Sequence, residues 1–277
     1  MLSYRHAFHA GNHADVIKHL TQVLIFQALQ KKNKPYIYID THAGGVYYDL
    51  SSEEALKTGE ASDGIAKVLD HPALPDAYRR AVMDYNPDGG LNYYPGSPAI
   101  AQAFQRESDK LVLMELHNNE VATVKRETRY WHNTMVHHRD GFEGLPGILP
   151  PDPRRGLVLI DPSYEIKTDY SKTANAVKKA YKKWATGIYA IWYPILVSDK
   201  SRYLLDELEN SGIRRILVAE IQRPAEAGES FGMIGSGMLI INPPYQLDET
   251  LENILPELAQ AMLGGSAEAS VQWLAGE

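Results

Sequence analysis

Four short runs in this chain, three of them wholly apolar, lead into a carboxylate, and no other feature constrains the fold as much. Tyr36-Ile37-Tyr38-Ile39 ends at Asp40 and Leu111-Val112-Leu113-Met114 at Glu115. Met135-Val136-His137-His138 is followed by Asp140-Gly141, and Leu157-Val158-Leu159-Ile160 by Asp161. Short runs that are apolar at nearly every position suit strands covered on both faces, as in a parallel sheet. Further runs stand at Ile188 to Trp192, Ile213 to Ala219 and Met238 to Ile241. Residues 14–30 carry Val16, Leu20, Val23, Leu24, Phe26 and Leu29 at mostly helical spacing. Helical stretches at 98–107, 171–184 and 199–210 fall between several of the runs. Buried strands alternating with helices predict an α/β fold with a mostly parallel sheet. In such a sheet ligands bind beyond the carboxyl ends of the strands, where the acids stand.

The interval from Asp40 to Leu111 is too long for a simple crossover, which needs about 30 residues in all. Residues 46–94 are therefore predicted to be an inserted helical subdomain, with helices at 61–70 and 76–84, inside a single domain spanning 1–277. The main fold resumes at Pro95-Gly96-Ser97-Pro98, with Ser97 as a helix N-cap and Pro98 in the first helical position. The stretch GGSAEAS near the C-terminus is the most linker-like in the chain.

Composition narrows the chemistry. The 277 residues include no cysteine, which excludes a disulfide framework, a cysteine nucleophile and thiolate metal sites. No apolar h-region opens the chain and no run approaches the roughly 20 apolar residues of a membrane helix, so a cytoplasmic protein without membrane contact is expected. A monomer is also expected. Lys+Arg number 28 against 35 Asp+Glu, a net charge of −7, which argues against nonspecific coating of nucleic acid. Local basic spots remain: Lys172, Lys178, Lys179, Lys182 and Lys183 after Asp161, Lys31, Lys32 and Lys34, and Arg154 with Arg155. The lysine run reads most simply as a solvated helix face, with phosphate contact as the alternative.

Successive strands ending in acids, with Gly44-Gly45 after the first, resemble the S-adenosylmethionine-dependent methyltransferases. The second-strand acid, Glu115, suits a ribose and the third, Asp140, an adenine amino group. The glycines lack the G-x-G-x-x-G spacing of dinucleotide sites. Asp161-Pro162-Ser163-Tyr164 resembles the [DNS]-P-P-[YFW] tetrapeptide of amino-group methyltransferases, with Ser163 in place of the second proline. The lone pair of an exocyclic amine is conjugated into its ring. The Asp161 carboxylate and the Pro162 carbonyl can accept from that amine and turn its lone pair outward, while Tyr164 offers a face for an extruded base. Asn242-Pro243-Pro244-Tyr245 matches the tetrapeptide literally. It follows the final strand, expected to run antiparallel, which places it at the opposite sheet edge.

Five of the ten histidines, His6, His9, His13, His19 and His42, fall in the first 42 residues. No acid stands near them at a recognisable ligand spacing, and Gly11-Asn12 interrupts the helix that would align them, so no metal site is expected. The segment Tyr4-Arg5-His6-Ala7-Phe8-His9-Ala10-Gly11-Asn12-His13-Ala14-Asp15-Val16-Ile17-Lys18-His19 resembles the opening signature of the bacterial 23S ribosomal RNA adenine-N6 methyltransferases of the J type. Asp40-Thr41-His42-Ala43-Gly44, Tyr93-Tyr94-Pro95-Gly96-Ser97-Pro98 and Trp192-Tyr193-Pro194 carry the same resemblance, which spans essentially the whole chain.

That resemblance implies a Rossmann-like methyltransferase fold, S-adenosylmethionine as cofactor and 23S ribosomal RNA as partner, with N6 of a single adenine (2030 in the family) as target. It further implies contacts of Tyr4 with RNA, of His19, His42 and Ser97 with the cofactor, of Glu115 with its ribose, and of Asp140 and Gly141 with its adenine. Asp161 would border both cofactor and base. An N6-adenine DNA or glutamine methyltransferase, or a catalytically silent RNA-binding protein of the same fold, stays open as an alternative.

Overall fold

The structure, a computed structural model, describes residues 5–276. After a 3-10 turn at His6–Phe8, the first α-helix, α1 (His13–Gln30), is capped by Asn12, whose side-chain oxygen accepts from the Asp15 amide at 3.0 Å. Val16, Ile17, Leu20, Val23, Ile25, Phe26 and Leu29 are buried around most of its circumference, as befits a helix packed inside the fold.

β1 (Ile37–Asp40) follows, then a two-stranded antiparallel ribbon of β2 (Tyr47–Asp49) and β3 (Tyr93–Pro95). Between the ribbon strands lie α2 (Glu53–Thr58), α3 (Glu60–Asp63), α4 (Ile65–Val68) and α5 (Asp76–Met83). The single helix expected at 61–70 is split at Gly64, whose backbone packs against the chain at Gly11: a Cβ there would stand 2.0 Å from the Gly11 carbonyl oxygen. Ile65, Val68, Tyr78 and Val82 from this segment share one apolar core with α1.

The chain continues through α6 (Ser97–Ala103), β4 (Lys110–Glu115), α7 (Asn118–Glu127), β5 (Thr134–His138), α8 (Gly141–Gly144), β6 (Gly156–Ile160) and α9 (Asp169–Lys183). Then come β7 (Ile188–Leu196), α10 (Arg202–Glu209), β8 (Ile216–Gln222), β9 (Met233–Ile241), α11 (Leu247–Leu263) and β10 (Glu268–Ala275). Among the described residues the main sheet runs β10-β8-β9-β7-β6-β1-β4-β5. β5, β4, β1, β6 and β7 pair in parallel, while β9 lies antiparallel between β7 and β8. This is a Rossmann-like, mostly parallel α/β fold with an antiparallel closing strand, as the sequence predicts.

Both faces of the sheet are covered, which explains runs that are apolar throughout. Tyr38, Leu111, Leu113, Leu157 and Leu159 point into a core shared with α1, α5 and α11. Their neighbours Ile37, Ile39, Val112, Val158 and Ile160 enter a second core against α9 and α10. Two expectations change. The run at Met238–Ile241 belongs to the second-last strand, because the residues after the linker-like glycines form β10, a half-exposed edge strand in which apolar and polar residues alternate over most of its length. Ser97 is the first residue of α6 and not its cap, since its hydroxyl is engaged elsewhere, and Pro98 stands second. No helix among the described residues is long and apolar enough to cross a membrane.

The tightest contact within the sheet is where β6 enters beside β1. A Cβ on Gly156 would lie 1.8 Å from the Ile37 carbonyl oxygen. Gly156→Ala is expected to lower stability by about 1–3 kcal/mol, the range for overpacking a filled site, read as a lower urea midpoint at unchanged slope. An unchanged midpoint would show that the strands part freely there.

Candidate active site

The loops that follow β1, β4, β5 and β6 meet at one edge of the sheet. Asp40 is buried where β1 ends and accepts from the Tyr38 hydroxyl at 2.6 Å, the Ser97 hydroxyl at 2.6 Å and the His42 amide at 3.2 Å. Burial raises its pKa to about 6 although these donors favour the carboxylate. Asp40 thus fixes the turn; it does not line the cavity.

The turn crosses to β4, whose Glu115 accepts from the Gly44 amide through Oε2 at 2.9 Å and from the His117 amide through Oε1 at 2.7 Å. Gly44 has φ +59°, which glycine adopts without strain. Asp140 caps α8 through Oδ1, accepting from the Phe142 amide at 2.8 Å. At Gly141 only glycine fits, because a Cβ would lie 1.9 Å from the Thr41 carbonyl oxygen.

These residues line a cavity together with His19, His42 and Ser97. His19 is fully buried, its Nδ1 2.7 Å from the Tyr94 hydroxyl, while its Nε2 has no hydrogen-bond partner. Burial and then the Lys18 charge hold the imidazole pKa well below the ordinary histidine value, so it is neutral. Burial likewise brings His42 down to about 4. Its ring meets Phe142 edge-on at 4.7 Å.

Asp161 stands at the mouth of β6. Pro162 and Ser163 line the same cavity, and Ser163 also borders a second one with Tyr164, Trp192, Pro194, Leu196 and Met233. His6, Lys18 and Asp161 belong to both. Tyr164 is buried in the second wall with φ +53°, its hydroxyl donating to the Trp192 carbonyl at 2.8 Å and its ring 4.5 Å from that of Tyr170.

Lys18 holds the junction. Its ammonium donates to Asp15 Oδ1 at 2.7 Å and to Asp161 Oδ2 at 2.6 Å. Asp15 is fully buried and is also met by His6 Nε2 at 2.9 Å and the Gly11 amide at 2.8 Å. Burial opposes charge on both groups, but attraction more than offsets it: Asp15 and then Asp161 hold Lys18 above the ordinary lysine value, and His6 and then Lys18 hold Asp15 well below that of a carboxylate. Sequence reasoning assigned no role to Asp15 or Lys18. The available signal was two charges spaced i, i+3 within a helix buried nearly all round, where unpaired charge is not tolerated.

The predicted residues His19, His42, Ser97, Glu115, Asp140, Gly141, Asp161, Pro162 and Tyr164 thus gather around two adjoining cavities. Tyr4 lies outside the described residues. Asn242 stands at the other edge, its side chain donating to the Ala185 and Gly187 carbonyls at 2.8 Å, just before β7 begins. Of the basic spots, only Lys172 lines the first cavity; Arg155 reaches the Lys34 carbonyl at 3.1 Å.

A family model described as "Ribosomal RNA large subunit methyltransferase D, RlmJ" matches residues 33–275. The chain belongs to this family. It is 45% identical to ribosomal RNA large subunit methyltransferase J of Escherichia coli strain K12 over 281 residues, covering 100% of both chains. It is 41% identical to the protein of that name from Haemophilus influenzae, again covering 100% of both. A crystal structure of a Legionella pneumophila protein superposes with TM-score 0.88 at 35% identity, over 96% of this chain and 98% of that one.

Within this RlmJ-family site the Lys18 bridge is the most exposed to a single change. Lys18→Met keeps the length and removes the ammonium, leaving buried Asp15 without that counter-charge and with His6 as its remaining side-chain partner. A loss of about 3–5 kcal/mol is expected from breaking such a buried pair, measured by urea unfolding at neutral pH. A loss below about 1 kcal/mol would show that the carboxylates keep their places without it.

Proposed function

We propose that this chain transfers a methyl group from S-adenosylmethionine to N6 of one adenine in 23S ribosomal RNA, adenine 2030 in the family's case. The observation that carries the reading is the position of Asp161 where the two cavities meet, with Pro162 next to it in the first and Lys18 fixing the carboxylate. The first cavity fits the cofactor. It presents the unpartnered Nε2 of buried His19, the carboxylates Glu115 and Asp140, and backbone brought close at Gly141. Glu115 would accept from ribose hydroxyls and Asp140 from the adenine amino group, each with lone pairs beyond those its loop contacts use. His42 and Ser97 would complete the wall, with Ser97 held by Asp40. When bound, S-adenosylmethionine supplies an electrophilic methyl group.

The second cavity would take the extruded base. Trp192, Pro194 and Leu196 offer apolar surface, and Tyr164 stiffens that wall. Asp161 and the Pro162 carbonyl accept from the exocyclic amine and turn its lone pair toward the first cavity. N6 of adenine has almost no basicity, so no proton must leave before attack. The carboxylate orients the amine, stabilises charge that grows on nitrogen, and takes up the proton that N6 loses during or after transfer, directly or on its way to water. Ser163 leaves both acceptors in place.

The direct test incubates the protein with radiolabelled S-adenosylmethionine and, in parallel, unmethylated large-subunit RNA, DNA and release-factor protein. Label is expected in RNA as N6-methyladenine; label only in DNA or protein would reject the substrate. The cofactor half of the reading is tested by Glu115→Ala. Hydrogen bonds to a charged group contribute about 1.5–3 kcal/mol, so calorimetry should show affinity for S-adenosylmethionine reduced about tenfold or more. Unchanged affinity would remove Glu115 from the site.

A further inference from the structure

The residues between β2 and β3 do more than extend the core: they grip the segment that precedes α1. Glu60, the first residue of α3, takes His9 and Asn12 at once, with Oε1 2.9 Å from His9 Nδ1 and Oε2 accepting from Asn12 Nδ2 at 2.8 Å. Arg5 pairs with Glu54 at 2.8 Å, and the Thr58 hydroxyl donates to the Phe8 carbonyl. The Ile65 amide donates to the Gly11 carbonyl at 2.8 Å. Gly64 packs so closely there that no side chain fits.

Both residues that Glu60 holds lead to the reacting edge. Asn12 caps α1, the helix that carries Asp15 and Lys18. His9 lies in the turn between His6 and Asn12, and His6 reaches Asp15, which with Asp161 holds the Lys18 ammonium. Glu60 itself lines neither cavity. Half-exposed ion pairs contribute little to stability, so a two-pronged acceptor at this place has more to do with geometry than with folding.

We propose that Glu60 is a positioning residue for methyl transfer: by fixing His9 and Asn12 it sets His6 over the target cavity and, through Asp15 and Lys18, the Asp161 carboxylate. The proposal rests on the reading of Asp161 given above. It makes the inserted segment part of the catalytic apparatus, acting through the chain's own N-terminal segment.

The test is single-turnover methyl transfer by the full chain with saturating S-adenosylmethionine and unmethylated 23S RNA. Glu60→Ala is expected to slow transfer about tenfold or more, as for a displacement of order an ångström at reacting groups, with cofactor affinity by calorimetry within about twofold of wild type. Glu60→Gln keeps the shape and one acceptor, so it should fold as wild type and fall between the two. A purely structural role would cost the same in any background, whereas positioning through His6 would not. In a His6→Ala background, Glu60→Ala should therefore cost clearly less than in the wild-type background, the remainder passing through Asn12 and α1. Wild-type rates in both Glu60 variants, or an equal loss in both backgrounds, would overturn the proposal. Asp161→Ala separates the two readings: if it is inactive while both Glu60 variants transfer at the wild-type rate, only the positioning role fails. If Asp161→Ala is active, the reading of the site itself fails.

Discussion

One ammonium group ties this fold to its chemistry. Lys18 projects from a helix buried in the main core and bridges Asp15, on its own helix, to Asp161, at the end of a central strand. A charge in that position is costly unless satisfied, and the two carboxylates satisfy it only if α1 and the β6 loop keep a fixed distance. The bridge therefore converts the packing of α1 against the sheet into the placement of one carboxylate. His6 and the Gly11 amide complete the shell around Asp15, so the chain before α1 is drawn into the same constraint.

The remaining loops follow a similar logic. Each of the acids beyond the first strands serves a backbone amide or hydroxyl before it serves any ligand. Asp40 takes Tyr38, Ser97 and its own turn; Glu115 takes the amides of Gly44 and His117; Asp140 caps α8. The site is thereby organised before anything binds, which limits the ordering cost of association. Gly141 and Gly96 allow the loops to approach closely enough, since at each a Cβ would fall on a carbonyl oxygen.

Much of this was legible in the sequence. Strands covered on both faces declare themselves as continuous apolar runs, and acids at their ends mark the binding edge because a parallel sheet brings those ends together. That logic located Glu115, Asp140 and Asp161 and placed Asn242 on the wrong side of the sheet for chemistry. It failed where a residue's partner is distant in sequence. Ser97 reads locally as a cap, but its hydroxyl goes to Asp40, 57 positions away. Asp15 and Lys18 carry no role in the sequence pattern, because their partnership with Asp161 appears only once α1 is buried on nearly every side. β10 escaped notice because its apolar residues Ala269, Val271 and Trp273 alternate with polar ones and form no continuous run, as suits a strand with one face solvated. Gly64 lies inside the helix expected at 61–70, and only the approach of Gly11 explains the break.

The account stands or falls on the charge of Asp161. Asp161→Asn keeps the shape and one acceptor oxygen but removes the negative charge that should stabilise the nitrogen as the methyl group is transferred. Single-turnover kinetics with S-adenosylmethionine and unmethylated 23S RNA should show a rate lower by about 10²–10³, the loss typical of removing one transition-state electrostatic partner, with RNA affinity little changed. A rate within a few-fold of wild type would contradict the account, because the carboxylate would then be dispensable as a charge.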